Sequence, residues 1–267
     1  MQYKQRQFSD GLKLFYAWFE AMHTRVDVLI CSKFDDNSLI EFVKKLQTEI
    51  EKFERIGNRF APDSEISYVN TEAYKSDIVL SNELFGILAD CQLYNQKTSG
   101  YFDIAVNSSG QIKSKESYLL NFNNQTIRFA NSGILLDLSG FLKGYVLERL
   151  VEISEKECYE NILINLGNSS IFAKGNHPYG KGWKIEHSEN NSDCILVNES
   201  LTTSGNDIRT KWPIVNPKDG LTVTNKKSVS VVTKSPAVGE VLSKVAYLAT
   251  KNERDMIFEV FGARLVN

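Results

Sequence analysis

Hydrophobic residues recur at helical spacing in several long segments of the chain. The clearest begins at Ser38, which has the spacing of a capping box with Glu41, and ends at Gly57, a residue suited to a C-terminal cap. The apolar residues between these ends follow a period of about 3.6 and predict one buried helix face: Leu39, Val43, Leu46, Ile50 and Phe53. Further helices are predicted from about Ser81 to Thr98, from near Gly140, from Pro236 to Thr250, and around Arg254 to Phe261.

Other segments have the pattern of strands. Thr24 to Cys31 alternates polar and apolar residues and then becomes wholly apolar, which predicts a strand. Strands joined by the tight turn Asn131-Ser132-Gly133 are predicted between Asn124 and Leu138. The second half of the chain is richer in strand patterns: Asn161 to Leu166, Ser170 to Lys174, Trp183 to His187, Cys194 to Val197 and Lys227 to Thr233.

The order of these elements indicates the fold class. Helices and strands are mixed without regular βαβ alternation, which favours an α+β fold over a doubly wound sheet. No repeat, low-complexity tract or Pro/Gly/Ser linker divides the sequence. We therefore expect residues 1–267 to form a single compact domain with two lobes around a ligand cleft, and residues 1–21 to be an N-terminal extension.

Composition narrows the function classes without selecting one. The 267 residues include 31 Lys+Arg and 33 Asp+Glu, for a formal net charge of -2. A nucleic-acid-binding protein would show a basic excess, so we expect no nucleic-acid partner. The four cysteines form no CxxC motif, which argues against a zinc site or a disulfide framework.

The N-terminal segment lacks the features of a targeting or membrane sequence. Its most apolar part, Leu12 to Met22, is about half the length of a membrane span and includes Lys13 and Glu20. No lipid-attachment cysteine follows, so we expect a cytoplasmic protein without a membrane partner. The aromatic residues of this segment are predicted to cover part of a core or a subunit contact: Phe15, Tyr16, Trp18 and Phe19.

The segment from Leu136 to Gly144 is a candidate anion site. A strand pattern ends there, a Ser139-Gly140 turn follows, and a helix begins. The free N–H groups at the start of such a helix favour anions, and Lys143 adds a full positive charge. A phosphate group would suit this position, although an ordinary strand-to-helix turn with a surface lysine fits the same residues.

Four other features have both a functional and a structural interpretation. Leu201 to Asn206 is a cluster of hydroxyls before a glycine, either a turn or a binding loop. Phe60 to Asn70 resembles the start of a helix capped by Ser64. Gly100 to Ile104 places an acid beside two aromatic residues, which would flank a planar ring or only pack. His23 is predicted to be a core or surface histidine.

Taken together, these segments resemble the FAD:protein FMN transferase (ApbE) family from about Met22 to the C-terminus. Several motifs occur in the family's order: Met22-His-Thr24, Phe60-x-Pro-x-Ser-Glu-Ile-Ser, Gly100-Tyr-Phe-Asp103, Asp137-Leu-x-Gly-x-x-Lys-Gly144, Asn165-Leu-Gly167, Thr203-Ser-Gly205 and Asn216-Pro-Lys-Asp-Gly220. The resemblance implies a mixed, largely antiparallel sheet with packed helices and an FAD site in a cleft.

The resemblance also implies a reaction and a set of site residues. Members of the family use Mg²⁺ to split the diphosphate of FAD and attach FMN to a Thr or Ser of a target protein. By motif match, Asp137 and Lys143 would hold ribose or phosphate, and Gly140 with Glu240 would bind the metal. The remaining matched residues would contact the cofactor: Met22, Phe60, Tyr101, Phe102, Asp103, Ser204 and Gly205.

The chain departs from the family's pattern where the catalytic base is expected. Pro213 stands at the position of the family's histidine, and proline has no group that could take a proton. Asn216 replaces the motif's Asp, and Ser169 replaces the Asp of another motif. The catalytic residue is therefore unknown from sequence, with Asp219 and Asp207 as candidates.

The metal motif departs as well, because Lys244 stands where the family has a Thr ligand. We hypothesise that its ammonium replaces the charge of the metal and pairs with Glu240 or with the diphosphate. The alternative is a lysine on the solvated face of an ordinary helix. At the level of the whole chain, the alternative to a flavin transferase is a non-catalytic flavin- or nucleotide-binding relative that acts as a carrier, sensor or partner subunit.

Overall fold

The computed structural model describes residues 1–8, 11–108, 117–187, 192–205, 214–223 and 228–266. The helices in these ranges are α1 (Asp36–Gly57), α2 (Glu65–Glu72), α3 (Asn82–Lys97), α4 (Leu142–Lys156), α5 (Pro236–Leu248) and α6 (Lys251–Phe261). The strands are β1 (Gln2–Gln7), β2 (Lys13–Ala21), β3 (Thr24–Ser32), β4 (Ile78–Val79), β5 (Tyr118–Asn121), β6 (Thr126–Phe129), β7 (Ile162–Leu166), β8 (Ser170–Lys174), β9 (Trp183–His187), β10 (Ser192–Leu196), β11 (Glu199–Gly205), β12 (Ser228–Thr233) and β13 (Arg264–Val266). None of these helices is long and apolar enough to cross a membrane.

A large antiparallel sheet organises the fold. It has eight strands in the order β1-β2-β3-β7-β8-β11-β12-β13, and every neighbouring pair is antiparallel. A three-stranded sheet in the order β4-β6-β5 and a hairpin of β9 and β10 complete the strands that the structure describes. This combination of helices and antiparallel sheet confirms the α+β prediction.

The two faces of the large sheet are covered differently. On one face, side chains of β2 and β3 join those of α1, α3 and α4 in the main hydrophobic core. On the opposite face, Trp183 and Leu196 from the β9–β10 hairpin pack on Leu163, Ile171 and neighbouring residues. The helices and the cleft described below therefore share one side of the sheet.

The N-terminal residues are part of this sheet. Strand β2 pairs with β3 from Lys13 to Ala21, and β1 pairs with β2 from Gln2 to Gln7. Phe15 and Phe19 are buried in the main core, whereas Tyr16 and Trp18 point to the other face, where they are half-buried. This alternation of faces is what a strand imposes on successive side chains.

The first helix begins three residues earlier than its pattern predicts. Asp35 is the N-cap, and its carboxylate accepts hydrogen bonds from the backbone and the hydroxyl of Ser38. The predicted cap of Ser38 with Glu41 was therefore wrong. Gly57 is the last helical residue rather than the cap, and a Cβ there would lie 2.7 Å from Leu142 Cδ2. A side chain at this position would therefore displace Leu142 where α1 packs on α4.

The predicted pair of strands between Asn124 and Leu138 is half right. Strand β6 forms, but residues 134–138 belong to no strand. Their hydrogen bonds go elsewhere: Asn70 donates to Leu136 O at 3.0 Å and accepts from Leu136 N at 2.8 Å. A side-chain amide thus takes the place of a neighbouring strand, which a local pattern does not reveal.

Candidate functional site

Two adjacent cavities share one wall in the fold. The larger, of about 440 Å³, lies between residues 101–107, residues 214–217 and helix α5. The smaller, of about 120 Å³, lies between the β2–β3 turn, the end of α1 and the start of α4. Asp137 and Ser139 line both cavities, so the segment before α4 forms their common wall. The larger cavity has the size typical of small-molecule sites.

Asp137 is fixed at the centre of this wall. Its carboxylate lies 2.9 Å from Arg59 Nε and accepts hydrogen bonds from Asn107 Nδ2 at 3.0 Å and from the backbone of Ser139 at 2.9 Å. Its own N–H donates to Ile104 O. Asp137 therefore joins Arg59 and residues 104–107 to the segment before α4, and it holds the guanidinium of Arg59 at the smaller cavity.

The start of α4 has the features of the predicted anion site. Phe141 is its N-cap and provides no side-chain hydrogen bond to the first turn. Lys143 Nζ lies 2.9 Å from the hydroxyl of Ser169, in the turn between β7 and β8. A hydroxyl is a neutral partner, and the ion pairs of the described residues do not include Lys143. The positive charge of Lys143 thus remains available at the smaller cavity, which it lines.

The β7–β8 turn packs against Thr24, the first residue of β3. Gly167 has a φ of +65°, and a Cβ there would lie 2.2 Å from Thr24 Oγ1. Only a glycine meets both conditions at once. The motif residue Gly167 therefore places Ser169, and through it Lys143, at a defined distance from the β2–β3 turn.

The smaller cavity is bounded by a strained turn and an aromatic ring. Met22 and His23 have φ values of 50° and 55°, and the N–H of Met22 donates to Glu54 Oε2 at 2.8 Å. Phe60 is 52% exposed, and the guanidinium of Arg59 lies 4.2 Å from its ring centroid. Met22 and Phe60, both predicted cofactor contacts, line the same cavity.

The aromatic residues of the Gly100-Tyr-Phe-Asp103 motif have different surroundings. Tyr101, Phe102 and Asp103 all line the larger cavity. Phe102 is almost fully buried and contacts Phe141 in the core, so part of its ring serves packing. The hydroxyl of Tyr101 donates to Glu253 Oε2 at 2.8 Å, and burial together with this hydrogen bond raises the pKa of Tyr101.

Lys218 connects the 214–223 segment to Tyr101. Its ammonium lies 4.9 Å from the Tyr101 ring centroid and donates a hydrogen bond to Ser99 O. Within the same segment Asn216 donates to Asp219 Oδ2 at 3.0 Å, and Asp219 Oδ1 accepts from Leu221 N. Both oxygens of Asp219, a predicted candidate base, are thus engaged in the turn.

The residues assigned to the metal by resemblance form a tight cluster. Glu240 is 6% exposed, with Oε1 at 2.5 Å from Ser170 Oγ and Oε2 at 3.0 Å from Lys244 Nζ. Lys244 and Gly140 line the larger cavity. Since a lysine ammonium already bonds the carboxylate, these residues as they stand do not fit a divalent cation.

Other predicted positions lie away from the cavities or outside the described residues. Ser204 is buried on β11, where its hydroxyl lies 2.7 Å from that of Ser243, and Gly205 ends the same strand. The turn expected from Leu201 is therefore a strand up to Gly205. Pro213 and Asp207 fall outside the described ranges, so their predicted roles stay predictions.

The cavities also contain residues that the sequence patterns did not identify. Arg59, Asn107 and Lys218 contact the predicted site residues, and none of the three was predicted to be a site residue. Two positions could have been a signal: Arg59 directly precedes the Phe60 motif, and Lys218 lies within the Asn216–Gly220 motif.

Comparison with known proteins adds an independent finding. A sequence model of the ApbE family matches residues 22–261. A FAD:protein FMN transferase from Chlamydia muridarum (strain MoPn / Nigg) is 29% identical over 201 residues, which are 66% of this chain and 62% of that protein. A protein of the same name from Chlamydia trachomatis serovar D is 24% identical over 233 residues, or 75% of this chain and 73% of that one. The match thus spans less than two thirds of the C. muridarum protein.

Solved structures show the same fold at low sequence identity. The flavin transferase ApbE from Vibrio cholerae has a TM-score of 0.79 at 16% identity, over 99% of this chain and 93% of that chain. The apo form of Pseudomonas stutzeri flavinyl transferase ApbE has a TM-score of 0.81 at 15% identity, over 96% of this chain and 91% of that chain.

Proposed function

This chain belongs to the ApbE family, and we propose that it binds FAD in the cleft around Asp137 and transfers FMN to a Thr or Ser of a target protein. The observation that carries the proposal is the shared wall of the two cavities. Asp137 lies at its centre, and matched motif residues line the cavities on both sides of it. A dinucleotide has a charged diphosphate between two ring systems. In the cleft, the charged shared wall with Asp137 likewise lies between aromatic residues, Phe60 in the smaller cavity and Tyr101 in the larger.

The chemical groups at the wall are those that a diphosphate requires. Lys143 and Arg59 line the smaller cavity and Lys244 lines the larger one, and Arg59 is bonded to Asp137 of the shared wall. The start of α4 has no side-chain cap. The N–H groups of Phe141 and Leu142 donate to Leu138 O, and the helix dipole favours an anion at the rest of the first turn. These donors and cations are suited to charge that develops on phosphate oxygens as the diphosphate bond breaks.

The proposed reaction exchanges the phosphoanhydride bond of the diphosphate for a phosphate ester bond to the target residue. The hydroxyl oxygen of the target residue forms a bond to the FMN phosphorus, the diphosphate P–O bond breaks, and AMP leaves. The hydroxyl proton passes to a base. Asp103 and Asp137 are the carboxylates that line the larger cavity in the described part of the chain. Asp137 is bonded to Arg59, so a role in orientation suits it better than proton transfer.

A binding and transfer assay tests the proposal. FAD is titrated into the purified protein by calorimetry, and the protein is then incubated with FAD and with an acceptor protein that an active family member modifies. Intact-mass spectrometry of the acceptor is expected to show the added mass of FMN. The active family member serves as the positive control in the same buffer.

A variant links the assay to this cleft. Lys143→Met is expected to weaken FAD binding by about 10-fold to 100-fold, because a hydrogen bond to a charged group is lost. Lys156→Met, an exposed lysine at the other end of α4, is the matched control and is expected to bind like the parent protein. FAD binding without any acceptor mass shift would contradict the transfer reaction, and equal binding by Lys143→Met would contradict the location.

A further inference from the structure

Lys244 separates a buried carboxylate from the larger cavity. Glu240 is nearly inaccessible and lines neither cavity, whereas Lys244 lines the larger one. We propose that the Lys244 ammonium supplies at this position the positive charge that a divalent cation would supply, so that the chain binds the diphosphate of FAD without a metal. The proposal rests on the proposed function, because it assumes that FAD is the ligand of the cleft.

The bonding of Glu240 is the first argument. Its two carboxylate oxygens are bonded to the Ser170 hydroxyl at 2.5 Å and to the Lys244 ammonium at 3.0 Å. Magnesium requires near-octahedral oxygen ligands at about 2.0–2.1 Å. An ammonium beside the carboxylate repels such an ion and takes the ligand atom it would need.

Gly140 is the second argument, because it makes room for the lysine. A Cβ at this position would lie 2.7 Å from Lys244 Cε. Any larger residue would displace the side chain. The side chain of Lys244 therefore passes directly over Gly140 in the shared wall. In this position its ammonium lies next to the larger cavity.

The donor count of the ammonium is the third argument. A lysine ammonium has three N–H donors. In the part of the chain that the structure describes, Lys244 donates to the backbone oxygen and to the carboxylate of Glu240, both at 3.0 Å. Among the described residues its third donor has no partner, so it can bind a phosphate oxygen. Glu240 thus acts as a positioning residue that orients the ammonium through two bonds.

The metal dependence of FAD binding is the direct test. FAD is titrated by calorimetry into the full-length protein, once in EDTA and once in millimolar MgCl₂. The dissociation constant is expected to agree within about twofold between the two buffers. Tighter binding by tenfold or more in MgCl₂ would overturn the inference while leaving the proposed function intact. A protein that binds FAD in neither buffer would overturn both.

Two variants locate the effect at Lys244. Lys244→Gln is expected to weaken FAD binding in EDTA by about 10-fold to 100-fold. Because it leaves a buried carboxylate unpaired, the double variant Glu240→Gln/Lys244→Gln is measured in parallel and is expected to show the same loss. Lys251→Gln, an exposed lysine at the start of α6, is the matched control. A double variant that folds and binds FAD as the parent does would refute the role of Lys244.

Discussion

Met22 and His23 form the two-residue loop between β2 and β3 at the smaller cavity. Ala21 pairs with Thr24, and both loop residues have positive φ, which defines a type I′ turn. This turn normally contains Asn or Gly, because a left-handed conformation costs an L-residue about 1–2 kcal/mol. The bond from the Met22 N–H to Glu54 holds the strained turn in place.

Replacing His23 by glycine is therefore expected to stabilise the protein. The histidine side chain is 80% exposed, so its removal loses little packing. Relief of the left-handed strain, less the entropy that glycine adds to the unfolded chain, predicts a gain of about 0.5–1 kcal/mol in the free energy of unfolding. Urea denaturation measures the change. His23→Ala is the control, because alanine keeps the strain, and equal effects of the two variants would contradict the explanation.

At the residue scale, the structure brings four residues of the matched motifs to the two cavities: Met22, Phe60, Tyr101 and Asp137. Their contacts with FAD stay predictions. The carboxylate of Asp137, predicted to hold ribose or phosphate, is bonded to Arg59, a partner that the motifs did not indicate. The two residues are 78 positions apart in sequence (137 − 59), and no local pattern encodes a contact over that separation.

Helices were predicted more accurately than extended segments, for a physical reason. The pattern from about Ser81 to Thr98 predicted a helix, and α3 is Asn82–Lys97, because a helix bonds to itself and its signals are local. Residues 134–138 have a strand pattern but bond to Asn70 and Ser108 instead. An extended segment needs an external partner, and the sequence does not say which part of the chain supplies it.

Two helical glycines give opposite predictions for the same substitution. In α4, a Cβ on Gly144 would lie 2.4 Å from the backbone oxygen of Pro236 and 2.5 Å from Glu240 Cγ. Gly144→Ala is therefore expected to separate α4 from α5 and to lower the free energy of unfolding by about 1–3 kcal/mol. In α3, a Cβ on Gly86 would meet only Tyr145 Oη, at 3.7 Å.

Gly86→Ala is the matched control for this prediction. Alanine is the better helix former by about 0.8–1.0 kcal/mol, and the space at Gly86 is open, so this variant is expected to raise the free energy of unfolding. Urea denaturation of both variants measures the difference. An increase in both variants would show that helix propensity, and not the contact between α4 and α5, determines the result at Gly144, and a decrease for Gly86→Ala would contradict the assignment of open space at Gly86.

At the scale of the whole molecule, the aromatic packing that builds the core also makes stability depend on alkaline pH. Tyr159 is buried and stacks on Phe42, with ring centroids 3.8 Å apart. Burial, with a smaller contribution from the charge of Glu157, raises the pKa of Tyr159 to about 12. Burial also raises the pKa of Tyr94 and of Tyr118.

These shifts predict a loss of stability at high pH. The phenol of an unfolded chain has a pKa of about 10, so above that pH the unfolded state binds fewer protons than the folded state. The free energy of unfolding is then expected to be unaffected by Tyr159 below about pH 10 and to fall as the pH rises towards the folded-state pKa of about 12.

Tyr159→Phe removes one titrating group and should make this fall less steep. Tyr68→Phe, at a tyrosine that is 57% exposed, is the control and should leave the slope unchanged. Urea denaturation at a series of pH values measures both slopes, and an equal effect of the two variants would show that burial of Tyr159 is not the cause.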